Sequence, residues 1–335
     1  MKRIIFAVLL CLSLLNGIAQ SQDSLGFSMY KDRLVLYSDL GFRAAPFSVQ
    51  NNFLQSVEKI RFKHNIKLNA GFGIMYKWFA FRLAFSLPGT ILSKSRYGRS
   101  KNFDLGLSFG LKKNWFFDFD TRSYHGYVIK NAYKWNDTLN KLNPNDLRPN
   151  TQVFSASSNA WYFFDRSFKV QAVMGKAGHY NTSKGTWYVK NTLNLFGVGN
   201  RLDPITPEEL IDTALTRNSA DGISALDFGM VPGYAYVKRI NNWQVSAFGG
   251  LGGVIQAKFY GVKNLTRGFI GIAPRVDLRF IGGYSKPNYF LWFVTDFDIK
   301  SIRHQELVYN QTYYSLKLVA GVRLAKKDKK KIKSN

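Results

Sequence analysis

The sequence predicts an all-β protein, a transmembrane antiparallel up-and-down β-barrel of twelve strands, with fourteen the alternative and one short helix in a long loop. Three observations carry this. Residues 60–76 alternate: Ile60, Phe62, Ile66, Leu68, Phe72, Ile74 and Tyr76 against Arg61, Lys63, Asn65, Lys67 and Asn69. A period of two is a strand with one greasy and one wet face, and at about 3.3 Å per residue the stretch reaches roughly 55 Å, where about 9–11 residues already cross a bilayer. Aromatic residues make up 16% of the chain, an excess that fits lipid-facing rings and interfacial girdles. The N-terminus reads as an export address.

In that address Lys2 and Arg3 form a positive n-region, 4–15 an apolar h-region and Gly17-Ile18-Ala19 a small-residue cleavage site, so 1–19 is expected to be removed and the mature chain to start at Gln20. Cys11, the single cysteine, falls inside the h-region, which leaves no disulfide or thiol chemistry in the mature protein. No later run of about 18 apolar residues follows, so no transmembrane helix is expected, and barrel strands escape such a scan. The barrel is placed at 20–325, with a basic, disordered tail at 326–335. The formal charge of +26 fits nucleic-acid binding poorly, because the cations are spread along strands of an exported chain. The tail lysines suit solvent or anionic headgroups.

The alternation recurs. Phe79, Phe81, Leu83, Phe85 and Leu87 oppose Ala80, Arg82, Ala84 and Ser86; Phe103 to Leu111, Ile270 to Phe280, Tyr289 to Ile299 and Tyr314 to Leu324 repeat the pattern. Lys77-Trp78, 112–114, 165–167, 239–242 and 285–288 are expected short turns, flanked by Trp78, Trp115, Trp161, Tyr162 and Trp243. Long polar loops are expected at 88–102, 130–150, 200–222 and 303–311. Thr206-Pro207-Glu208-Glu209 is a capping box with proline at the first helical position, predicting a short helix over 207–215. Counting forward gives thirteen candidate strands, among them 168–178 and 186–197. A single-chain bacterial barrel has an even number. The rhythm of turns and loops breaks between 168 and 223, so part of 175–198 is assigned to a loop and twelve strands result.

Several segments resemble the Bacteroidota outer-membrane barrel family catalogued as domain of unknown function 4421: Asn69-Ala70-Gly71-Phe72-Gly73-Ile74-Met75-Tyr76-Lys77-Trp78, Tyr97-Gly98-Arg99-Ser100-Lys101-Asn102-Phe103-Asp104, Asp146-Leu147-Arg148-Pro149-Asn150 and Pro232-Gly233-Tyr234-Ala235-Tyr236. Order and spacing cover most of the mature chain. The family carries a polar Gln/Lys/Ser/Gly run after the strand matching 168–175; here 176–185 reads Lys-Ala-Gly-His-Tyr-Asn-Thr-Ser-Lys-Gly, a departure. The resemblance implies an outer-membrane barrel and no established activity.

Pooling the positions expected to face inward gives the bases Arg61, Lys63, Lys67, Arg82, Arg122, Lys169, Lys190, Lys258, Arg275, Arg279, Lys300, Lys317 and Arg323. The acids are Asp104, Asp118, Asp120, Asp227, Asp277, Asp296 and Asp298. In a narrow lumen these pair or meet water, since an unpaired buried charge costs several kcal/mol. The surplus of bases points either to a hydrated, anion-favouring interior or to a salt-bridged plug. Asp118/Asp120 and Asp296/Asp298 each set two carboxylates on one face, and among so many cations ion pairing outweighs metal binding. No phosphate loop, zinc spacing or nucleophile elbow appears, and no cofactor or metal is implied. His179, Asn181 and Ser183 match the inventory of an outer-membrane phospholipase, but a catalytic serine and histidine must meet near about 3 Å, and on one strand residues four apart lie about 13 Å apart.

The expected function is a structural or narrow anion-leaning channel protein of the outer membrane. The alternatives are a phospholipase-like lipid-modifying enzyme and a surface protein binding through its long loops. The expected partners are outer-membrane lipids and lipopolysaccharide and the barrel-assembly machinery, with no nucleic acid.

Overall fold

The computed structural model describes residues 26–324 except 31, 90, 112–113, 201–202, 213–215 and 263–264. The signal peptide, its cleavage site and the lysine tail lie outside the described residues. The strands are β1 (Phe27–Met29), β2 (Leu34–Ala44), β3 (Phe47–Gln50), β4 (Lys59–Lys63), β5 (Leu68–Tyr76), β6 (Phe79–Ser86), β7 (Lys101–Leu111), β8 (Trp115–Ile129), β9 (Asp146–Phe163), β10 (Gly178–Tyr180), β11 (Lys184–Asn200), β12 (Gly222–Ile240), β13 (Trp243–Val262), β14 (Leu265–Ser285), β15 (Tyr289–His304) and β16 (Leu307–Leu324); the short helices are α1 (Lys94–Tyr97) and α2 (Val170–Val173).

All neighbours are antiparallel and the sheet closes on itself. β16 pairs with β2 from Tyr314↔Ala44 to Leu324↔Leu34, so both ends of the wall meet at the short-turn end. Ala45-Pro46 splits one wall strand into β2 and β3, because proline can donate no ladder hydrogen bond. Residues 64–67 split another into β4 and β5. With those halves joined the wall has twelve strands, β1 and β10 forming a separate two-stranded ladder.

The thirteenth candidate, 168–178, is not a wall strand. β9 passes directly to β11, the ladder starting at Phe163↔Tyr188, and the chain between them folds into the lumen. Its apolar residues Phe168, Val170, Ala172, Val173 and Ala177 do not keep a period of two, and all five are buried. Residues 175–183 therefore leave the wall, whereas β11 is wall throughout.

The stretch 60–76 is two strands of opposite phase. In β5, Phe72, Ile74 and Tyr76 are exposed on the outside, as an outward belt requires. In β4 the order is reversed: Ile60 and Phe62 are buried in the lumen, and Arg61 and Lys63 are exposed. The step falls at residues 64–67, where His64 Nε2 accepts a hydrogen bond from the Ala45 amide at 3.3 Å. Above the step β6 and β7 have ended, and β4 pairs directly with β8 (Phe62↔Ile129, Lys63↔Val128). The wall thus has two fewer strands at its long-loop end than at its short-turn end.

A second irregularity lies between β14 and β15. Their ladder runs from Ser285↔Phe290 to Val276↔Ile299 and stops; above it β14 pairs only with β13 and β15 only with β16. Continuing the register would set Pro274, which has no N–H, opposite Ser301. Side chains replace the missing backbone donors: Arg275 bonds the Ile299 carbonyl at 3.3 Å, Gln256 that of Ser301 at 3.0 Å and Lys258 that of Arg303 at 2.6 Å.

Two further expectations are corrected. The connection expected at 303–311 is a tight turn, His304 pairing with Leu307 and Gln305 adopting φ 54°. Of the helix expected over 207–215, the described residues form a 3-10 turn at Glu208–Leu210, with Leu210 pointing into the core; 213–215 lie outside the described residues. The outer face carries an apolar belt that includes Phe72, Phe228, Ile255, Leu278 and Phe293. Trp78, Trp115, Trp187 and Trp243 stand exposed at its short-turn edge, while Trp161 turns inward.

Candidate functional site

The lumen holds three layers. At the long-loop end Phe47, Phe62, Tyr127, Phe196, Tyr260, Ile302 and Tyr309 form an apolar seal, with Ile205, Leu210 and Ala220 folded down from the loop between β11 and β12. At the short-turn end a plug, residues 164–183, occupies the barrel, leaving a cavity of about 310 Å³ between Phe168–Gln171 and the wall at Trp78 and Trp115. Its Phe168, Val170, Ala172, Val173 and Tyr180 pack on Phe163, Tyr188, Phe248, Phe290 and Trp292 of the wall. β1 pairs with the plug's β10, Phe27 opposite Tyr180.

The wall holds the plug by its backbone. Gln244 Nε2 donates to the carbonyls of Ala172 at 3.0 Å and Val173 at 3.1 Å, and its Oε1 accepts from the Tyr180 amide at 2.8 Å. Arg323 donates to the carbonyls of Gly175 at 2.5 Å and Lys176 at 2.7 Å. These bonds satisfy plug groups that would otherwise be buried without a partner, each at a cost of about 1–3 kcal/mol.

Between the seals lies a layer of charge. Asp39 binds Arg43 at 2.5 Å and Arg82 at 2.6 Å; Asp104 lies 3.5 Å from Arg43 and 3.3 Å from Arg82. Asp120 pairs with Arg122 at 2.6 Å, Asp296 with Arg279 at 2.6 Å and Lys317 at 2.7 Å, and Asp298 with Lys300 at 3.5 Å. Asp277 pairs with Lys190, and Asp227 with Arg275. Asp118 accepts from Asn159 at 2.7 Å and Trp161 at 2.5 Å. Every one of these carboxylates has a partner. The remaining space is a cavity of about 170 Å³ and a neighbouring one of about 60 Å³, room for a few waters at about 30 Å³ each.

The surplus of bases expected in the lumen shrinks to one in this layer, where Arg43, Arg82, Arg122, Lys176, Lys190, Arg275, Arg279, Lys300 and Lys317 meet eight carboxylates. Arg61 and Lys63 project outside because β4 is phase-inverted, and Lys67 sits in the step at 64–67. Lys169 belongs to the plug. Arg82, Asp118, Asp120, Arg122, Arg275, Asp277, Arg279, Asp296, Asp298 and Lys300 are brought together. Asp39 and Arg43, which sequence reasoning missed, complete the set. Their signal was the odd-numbered face of β2, where Val35 and Tyr37 mask the wet pattern.

Lys176 is the other missed group. It enters the charged layer from the plug, 4.0 Å from the Tyr37 ring centre. Burial, reinforced by the Arg82 charge, lowers its ammonium to about 8.

His179, Asn181 and Ser183 form no triad. His179 Nδ1 lies 3.2 Å from the Tyr30 hydroxyl, and Asn181 donates to Ser28 Oγ at 3.2 Å. Among the described residues no hydrogen bond joins Ser183 to His179. Burial, then the charges of Arg239 and Arg323, push the His179 imidazole down to about 4, so it is neutral at pH 7. Its role is to tie the plug to the chain entering β2. No group of three or more metal-ligating side chains occurs among the described residues.

The fold defines a transmembrane β-barrel with a segment of its own chain packed inside it. The chain belongs to the family described as Domain of unknown function (DUF4421), whose profile matches residues 22–324. No curated protein matches the sequence. Among solved structures the chain is similar to the translocator domain of autotransporter NalP from Neisseria meningitidis (8% identity, TM-score 0.39, covering 96% of each chain). It is also similar to an outer membrane channel from Pseudomonas putida F1 (10%, 0.32, 91% of this chain and 100% of that one) and to the toluene transporter TodX from P. putida (9%, 0.27, 88% and 91%). The strand count and register stand on this chain's own ladders.

Proposed function

We propose that this protein is an outer-membrane barrel of structural role, held shut by its plug and a salt-bridged lumen. The outward apolar belt with tryptophans at one edge supports membrane residence. Both wall ends lie at one side, and the long loops after β6, β8 and β11 lie at the other, which supports the usual outer-membrane orientation with the wall ends toward the periplasm. The observation that carries the closed state is the lumen itself: two apolar seals enclose a layer in which each carboxylate already has a cation or donor. Planar-bilayer recording of the refolded protein tests this. The expected trace is silent; stepwise conductance from the intact chain would overturn the reading.

A gated narrow channel is the second reading. It is favoured because wall closure does not involve the plug, whose removal would leave the twelve-strand ladder whole.

A further inference from the structure

We propose that the phase-inverted strand β4 and the loop residues 91–100 build a binding site for the phosphate groups of an outer-leaflet glycolipid. The outward face of β4 carries Arg61 and Lys63 where the alternation of β5 below would place apolar side chains. Lys130 adjoins them, its amide bonding the Arg61 carbonyl at 2.9 Å. Lys67 has Lys94, Lys101 and Arg99 as its charged neighbours.

Two of the three nearby carboxylates are taken up by arginines. Asp104 points into the lumen to Arg43 and Arg82, Asp146 is held by Arg148 at 2.7 Å, and Glu58 precedes β4 next to Lys59. Cations crowded with so few free carboxylates repel one another, and a multiply charged anion relieves that repulsion.

The cluster is built rather than incidental. Asn65, buried in the step, donates to the carbonyls of Leu92 at 3.2 Å and Gly98 at 3.0 Å, while its own amide donates to Ser100 Oγ at 2.8 Å. Ser100 in turn donates to the Gly126 carbonyl at 2.7 Å. Gly126 has φ 83°, and a Cβ there would stand 2.2 Å from the Arg99 carbonyl oxygen, so only glycine lets the loop lie this close. These contacts fix Lys94, Arg99 and Lys101 beside Lys67.

The occupant follows from position. The cluster lies on the outer wall above the Phe72–Tyr76 belt, at the long-loop end, where lipid headgroups meet a barrel wall. This assignment rests on the outer-membrane orientation proposed above. A phosphorylated headgroup anchored by acyl chains along the belt can meet several of these cations at once, which free phosphate cannot do with the same avidity.

The refolded full-length chain in neutral phosphatidylcholine nanodiscs is titrated with bis-phosphorylated lipid A, with its dephosphorylated form and with inorganic phosphate, and bound lipid is read by native mass spectrometry. Saturable binding of the bis-phosphorylated lipid is expected, weakened at least tenfold in Arg61→Gln/Lys63→Gln/Lys67→Gln/Arg99→Gln/Lys101→Gln and kept in Lys238→Gln/Lys286→Gln at the other end. Arg61→Lys/Arg99→Lys, which keeps the charge, is expected to bind, so a folding defect in the neutral variant does not decide the matter. Equal binding of the dephosphorylated lipid, full displacement by equimolar phosphate, or an unaffected neutral variant overturns the proposal. A chain that inserts in the nanodisc yet ignores lipid A sinks this site alone; one that enters no bilayer sinks the outer-membrane reading.

Discussion

The Trp292 ring occupies the place where a side chain on Gly175 would stand, and its Nε1 donates to the Gly175 carbonyl at 3.2 Å. Gly175 has φ 74°, and a Cβ there would lie 2.2 Å from the ring. Backbone freedom and close approach are both needed at this one position of the plug. Gly175→Ala is expected to lose about 1–3 kcal/mol through strain and overpacking, read as a lower urea midpoint for unfolding in micelles. An unchanged midpoint would show that the plug docks less tightly than these contacts imply.

Excision tests the plug directly. Replacing residues 168–182 with a short Gly/Ser turn leaves every wall ladder intact. The variant is expected to insert and to show small, flickering conductance where the intact chain is silent. Silence in both would assign the block to the charged layer and the upper seal.

The ion pairs give a directional prediction. Asp296 serves both Arg279 and Lys317, so Asp296→Asn leaves two half-buried cations without it and is expected to cost about 1–3 kcal/mol. Asp296→Asn combined with Lys317→Met should recover part of that loss. A double-mutant cycle in urea measures the coupling, and strict additivity would argue against a shared pair.

Lys176 and His179 make plug stability depend on pH. Both folded values are depressed, to about 8 and about 4, so each group binds fewer protons folded than unfolded and stability rises with pH across its window. For Lys176 the window runs from about 8 to the ordinary lysine value of 10.5, and the cost of the buried charge, about 3 kcal/mol, is fully present below it. Lys176→Met should stabilise the protein at pH 7 and lose that advantage above pH 10.5. For His179 stability falls as pH drops from 6.5 towards 4, and His179→Gln should flatten that slope. Unfolding midpoints across pH check both.

Pro274 marks the open seam. Pro274→Val restores a donor opposite Ser301 and a β-branched residue suited to a strand. The expected gain is about 0.5–1.5 kcal/mol, with slower amide exchange at Ser301. Unchanged exchange would mean that the seam has another cause.

The barrel was legible because lipid imposes a period of two on a strand's outer face, and Phe72–Tyr76, Phe79–Phe85 and Tyr314–Leu324 carry it without interruption. The twelve-strand count was legible from the broken rhythm after residue 168. The plug was not, since Phe168 and Val170 look equally apolar in a wall strand and in a lumen. Nor was the inversion at β4: Ile60 and Phe62 continue the apolar face of β5 by sequence parity, and only the step at 64–67 changes which side that face meets. Part of the charge imbalance inferred for the lumen followed from that shift of phase, which turns Arg61 and Lys63 outward; the rest came from the unseen plug, which holds Lys169, and from the overlooked Asp39.

Arg323 lies on β16, the last wall strand to leave the ribosome, and it clasps carbonyls of residues 175 and 176. The same strand zips to β2 to complete the ring. Pairing Leu34 with Leu324 is the most sequence-distant event in the wall and so an intrinsically slow one. The residue that locks the plug arrives with the strand that completes the circle, so a chain stalled before closure lacks the clasp. Before the ring closes, the plug is left with the Gln244 bonds from β13.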